Sequence, residues 1–98
     1  MKIQFHTNLD EAKPFVDKLT ETWKGPVPAV DHLIIFAFER WNHDITPPKY
    51  EKRNFSLVVC AVRWDETGEP AVELHAPRNF ESIQKWMDYF RRHVQGRA

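Results

Sequence analysis

Phe55-Ser-Leu-Val-Val-Cys-Ala-Val-Arg-Trp64, then Asp65-Glu-Thr-Gly-Glu-Pro70, then Ala71-Val-Glu-Leu-His75, is the stretch whose reading decides the fold. Leu57 to Val62 is a continuous apolar run rich in β-branched residues and bounded by turn formers, the pattern of a central strand. Asp65-Glu66-Thr67-Gly68 suits a type I turn closed by a glycine in the left-handed region, the usual three-residue hairpin loop. The segment therefore reads as an antiparallel hairpin, with the helical segments on either side as its covering.

The register of that hairpin sorts its side chains onto two faces. With Glu66-Thr67-Gly68 as the loop, Asp65 pairs with Glu69, Val62 faces Val72 and Cys60 faces Leu74. Side chains alternate with period two, so Val58, Cys60, Val62, Val72 and Leu74 share one face, expected to be the helix-covered core. The other face carries Phe55, Leu57, Val59, Ala61 and Arg63, flanked by Ala71, Glu73 and His75. Its centre is apolar and its border polar, the make-up of an interface core with a rim. Phe55, Leu57, Val59, Arg63 and His75 are thus the candidate partner-binding residues, for another protein or for a second copy in a homodimer. A four-residue loop would exchange the two faces.

Working outward, Ile3 and Phe5 alternate with Gln4 and His6 as a short half-buried strand. Leu9, Ala12, Phe15, Val16, Leu19 and Trp23 follow at helical spacing. Pro14 sets where that helix starts, because a proline inside it breaks the hydrogen-bond ladder at a cost of about 3 kcal/mol. A start at Asp10 or later places Pro14 in the tolerant first turn, and Gly25 with Pro26 and Pro28 marks the end. Residues 29–43 fit a helical stripe (Val30, Leu33, Ile34, Ala37, Phe38, Trp41) but also contain the strand-rich run Leu33-Ile-Ile-Phe-Ala-Phe. Strand is preferred, because a hairpin needs at least one more strand to be stable. Ile45 to Asn54 reads as a polar connector. Beyond the hairpin, Asn79 is a good cap for a helix whose stripe is Phe80, Ile83, Trp86, Met87, Phe90 and Val94. Trp86 and Phe90 are expected in the core beside Phe15 and Leu19.

The fold class is α+β: a single domain, order β-α-β-β-β-α, with an antiparallel sheet of three to four strands and two amphipathic helices. Its last five elements have the order of a double-stranded-RNA-binding domain. The final helix, however, opens Asn79-Phe-Glu-Ser-Ile-Gln, without the basic cluster that grips phosphates in such domains.

Composition bounds the function. The chain has 98 residues, 42% hydrophobic and 29% charged, which is enough for one core and too apolar for disorder. Fourteen basic residues balance fourteen acidic ones, so no bulk field draws in nucleic acid or an anionic membrane. The longest apolar run, Leu33 to Phe38, is far short of a membrane span, no secretory pattern is visible, and one cysteine fits a reducing compartment. A cytoplasmic protein is expected.

No motif commits the chain to chemistry. Cys60 lies mid-strand and reads as a small buried hydrophobe. His6, His32, His43, His75 and His93 lack zinc-ligand spacing, although His6 and His75 would lie side by side if their strands were neighbours. Asp31, Glu39, Asp44, Asp65 and Glu73 are scattered, and three glycines leave no phosphate loop. Pro47-Pro48-Lys49-Tyr50 resembles a short polyproline ligand but reads as a rigid turn with Tyr50 packed back on the domain. Lys85, Arg91, Arg92 and His93, with Arg97 beyond, complement a helix C-terminus, and together with Lys52 and Arg53 they form the one candidate basic patch. The expectation is a non-enzymatic binding or regulatory module with a protein partner and no cofactor or metal. A nucleic-acid binder using the basic loop and helix is the first alternative, and a small histidine-dependent enzyme the second.

Overall fold

Pro14 stands in the first turn of a helix, as its missing N–H requires. In the structure, a computed structural model that describes residues 2–96, a 3-10 turn over Asp10–Ala12 leads into α1 (Lys13–Thr22). The other elements are β1 (Gln4–Thr7), β2 (Leu33–Asn42), β3 (Lys49–Trp64), β4 (Pro70–His75) and α2 (Ile83–His93). The helix stops short of Gly25. Trp23 is already extended, its ring lies edge-on to Phe5 at 5.5 Å, and its indole N–H donates to the carbonyl of Pro26 at 3.1 Å. That ring accounts for Gly25, where a Cβ would come within 3.2 Å of it.

The ambiguous run becomes a strand. β2 pairs antiparallel with β3, from Leu33 opposite Val58 to Asn42 opposite Lys49. Residues 49–54, read as connector, are therefore strand, and their charges alternate in a way that composition alone disguises. Lys49, Glu51 and Arg53 point one way, and Tyr50, Lys52 and Asn54 the other. The sheet order is β1-β4-β3-β2, and β1 runs parallel to β4, so the sheet is mixed rather than purely antiparallel. Among the described residues no helix is long and apolar enough to cross a membrane.

The hairpin loop forms as its residues dictate. Gly68 has φ +84°, its N–H donates to the carbonyl of Asp65 at 3.1 Å, and Val62 faces Val72. The expected faces nevertheless fail beyond Val62, because a bulge intervenes: Ala61 pairs with Glu73 but Val59 pairs with Leu74. Cys60 is the extra residue, and one extra residue reverses the sides of all that precede it. Phe55, Leu57 and Val59, assigned to an open interface, are in the core at 2%, 0% and 0% exposure. Cys60, assigned to the core, is exposed.

Both helices cover that core face. Phe55 is its centre: it stacks on Phe36 at 4.9 Å and takes Phe15 and Phe90 edge-on at 5.0 and 5.1 Å. Trp86 and Phe90 are fully buried, as expected, and Leu19 is partly buried at the margin. α2 starts later than the Asn79 reading, because Pro77 to Phe80 closes a turn and the Ser82 hydroxyl caps the helix by accepting from the Lys85 N–H at 3.2 Å.

Candidate functional site: the outer edge of β2

With Phe55, Leu57 and Val59 inside, the five candidate residues do not form one surface. Arg63 and His75 remain on the open face of the sheet, where Arg63 is ion-paired with Glu73. The exposed apolar surface lies elsewhere. Leu33 and Ile35, on the open side of β2, are 58% and 69% exposed, with Val30 beside them also exposed.

β2 is an edge strand, and its outer backbone is bare. The Val59 N–H donates to the carbonyl of His32 at 2.9 Å. In an antiparallel ladder the bonded pairs alternate, so Ile34, Phe36 and Phe38 turn their backbone groups toward β3. Leu33, Ile35, Ala37 and Glu39 turn theirs outward, and among the described residues no hydrogen bond reaches them. The opposite edge is guarded. β1 is short, and the Thr20 hydroxyl of α1 accepts from the Phe5 N–H at 2.9 Å. Proteins normally blunt a sheet edge with proline, lysine, a bulge or a cover. From Leu33 to Phe38 β2 has no proline, no charge and no bulge.

A groove runs along this edge on the core side. It measures about 580 Å³ and lies between Phe15, Lys18 and Leu19 of α1 and the segment Ile35 to Glu39 of β2. Rings of Phe15 and Phe38, at 6.2 Å, form its floor. An extended segment laid against β2 would bond to the outward amides and drop every second side chain into this groove, which is how strand addition combines affinity with selectivity. The two charges of β2 do not obstruct it. In the β2–β3 register Glu39 stands opposite Lys52 and Arg40 opposite Glu51, so a residue of opposite charge lies across the strand from each.

The other candidates are weaker. His6, Cys60, Glu73 and His75 do meet, around a cleft of about 230 Å³, since His6 is opposite Glu73 in the β1–β4 pair. Cys60 Sγ–H donates to the Glu73 carbonyl at 3.4 Å, and the Glu73 carboxylate is held by Arg63. The thiol is thus a donor beside an acid, with no cation aimed at it. Among the described residues no group of three or more histidine, cysteine, aspartate or glutamate side chains converges to hold a metal. The basic patch assembles only partly: Arg53, Lys85, Arg92 and His93 line one cleft with Asp88. Glu51 neutralises Arg53 at 3.2 Å and Glu81 neutralises Lys85 at 2.9 Å. Hydrogen bonds from Asn42 and Arg53 hold the Glu51 carboxyl below its ordinary value, so that neutralising charge persists. Tyr50 is exposed and lies edge-on to Trp41 at 5.0 Å, rather than packing back on the domain.

The fold is a small α+β domain in which, among the described residues, the β2 edge of the sheet is uncovered. Comparisons with protein-family models, curated proteins and solved structures find no match to the chain. Nothing in the residue types announced the edge. Leu33 to Phe38 is apolar on both sides, as a central strand is, and only the strand order leaves it outermost.

Proposed function

We propose that this chain is a non-enzymatic binding or regulatory module that works through a protein–protein surface, and that the surface is the outer edge of β2 with Leu33 and Ile35. The observation that carries the reading is the contrast between the two sheet edges: one capped by Thr20, the other bare over an apolar run with a groove alongside. The exposed free thiol of Cys60 supports a reducing, cytoplasmic setting. Selection of a random-peptide display library on the parent and on Ile35→Lys tests the reading. Peptides with alternating apolar residues should be enriched on the parent only, and should slow amide exchange at Leu33, Ile35 and Ala37. No enrichment, or equal enrichment on both proteins, would refute it.

A further inference from the structure

We infer that Pro47-Pro48-Lys49-Tyr50, the end of the β2–β3 loop and the first residues of β3, is a ligand for a small domain of the WW kind, whose binding groove is walled by aromatic rings. The inference goes beyond the reading given to the β2 edge and does not depend on it. Such grooves hold a proline-rich segment in polyproline geometry, here two proline rings and a tyrosine. Recognition therefore needs those three rings in solvent, on a segment that another domain can reach.

The rings are in solvent. Pro47, Pro48 and Lys49 are exposed, and Tyr50 is 66% exposed. A turn that served the fold alone would lay Tyr50 back on the domain. Instead Tyr50 stands opposite Trp41, on the side of the sheet that carries no helix. The two rings meet edge-on, with centroids 5.0 Å apart and planes at 67°, a contact that steadies Tyr50 without covering it. Polyproline geometry repeats every three residues, so Pro47 and Tyr50, first and fourth in the segment, come to one side. Lys49, whose side chain leaves the opposite face of β3, does not compete for that side.

Access and entropy agree. β4 flanks β3 only from Val58 onward, so residues 49–57 have β2 as their one neighbouring strand. The segment thus lies at the end of a protruding hairpin, beyond the contacts of Arg40 and Arg53 with the end of α2. Bonded pairs alternate along the β2–β3 ladder, and Trp41–Tyr50 is one of the open pairs. The backbone N–H and carbonyl of Tyr50 therefore turn away from β2, to a side where no strand lies, and are left for a partner. Each proline ring fixes its φ and carries no N–H, so Pro47 and Pro48 lose little freedom on binding and bury no unpaired donor. Lys49 and Tyr50 are already extended as the start of β3.

Calorimetric titration of the intact protein with an isolated WW domain, one that binds proline-proline-any-tyrosine peptides, tests this. The parent should bind with one site per chain. Tyr50→Ala and Pro48→Ala should each weaken binding by at least about tenfold, the loss typical of an anchor residue. Pro48→Ala leaves the Tyr50–Trp41 contact in place, so it serves if Tyr50→Ala disturbs the hairpin. Lys49→Ala and Ile35→Lys should bind as the parent does. A parent that does not bind, or Pro48→Ala binding as tightly as the parent, would overturn the inference. So would a loss with Lys49→Ala as large as with Pro48→Ala, which would assign the binding to charge. A free peptide of residues 44–53 that binds while the intact protein does not would also overturn it, because the hairpin would then hide the segment. The reading of the β2 edge is tested apart from this, since peptide selection against Ile35→Lys leaves residues 47–50 unchanged.

Discussion

Leu57 has no exposed surface, and its side chain enters the core between the strands and the two helices. Leu57→Asp is therefore expected to unfold the domain rather than release a partner, because an ionised carboxylate would be left without compensation in an apolar interior. Phe90→Ala and Trp86→Ala should each cost about 3–5 kcal/mol, the range for large aromatics lost from a core. Urea unfolding measures both, and a loss below about 1 kcal/mol would contradict the packing. Asp65 carries a different kind of prediction. The Thr67 hydroxyl and the Glu69 N–H bond to its carboxylate and hold its pKa below the ordinary 3.8. A depressed carboxylate pKa contributes stability that is complete above the unfolded value and lost as pH falls through the folded one. Asp65→Ala should therefore lower the melting temperature near neutral pH, with the gap to the parent narrowing below about pH 4. A gap independent of pH would refute the role of the charge. At this scale the hairpin turn was legible, since Asp65 and Gly68 are types the turn demands. The bulge was not, since Cys60 continues an apolar run in which any register looks alike.

Elements were legible where one residue type forces a boundary. Pro14 placed the start of α1, and the stripe of Trp86 and Phe90 gave α2 its buried face. What lies beside an element was not legible, because neighbours are set by strand order. β1 shows this at one edge of the sheet, where Thr20 on α1 accepts from Phe5 N–H and donates to Phe5 C=O at 3.5 Å. Thr20→Val keeps the shape and removes the acceptor, leaving a part-buried N–H without a partner. That should cost about 1–3 kcal/mol in urea unfolding and raise amide exchange at Phe5. Thr20→Ser, which keeps the hydroxyl, should recover most of the loss. Equal losses for valine and serine would assign the effect to packing instead of the edge cap.

The whole molecule is elongated, 54 × 29 × 19 Å, because β3 is far longer than β1 or β4. Val58 to Trp64 is flanked by β4, but Lys49 to Leu57 has only β2 as a neighbouring strand. The hairpin of β2 and β3 thus extends as an arm beyond the rest of the sheet. Two cations and a ring tie its base to the end of α2. Arg40 donates to the Arg92 carbonyl at 2.9 Å, Arg53 to the His93 carbonyl at 3.5 Å, and His93 Nε2 to the Asn54 carbonyl at 2.8 Å. Guanidinium groups there complement the negative end of the helix dipole, a contribution of about 0.3–1 kcal/mol each. Local stability should therefore fall along β3 toward the loop, with amides of residues 49–53 exchanging faster than those of residues 57–59. Arg40→Ala removes one tie without touching the core. It should speed exchange in the arm by about two- to fivefold, the equivalent of that dipole energy, while residues 57–59 exchange as in the parent. Acceleration spread evenly over β3 would mean that the arm opens only with the whole domain and that the contacts to α2 are not what holds it.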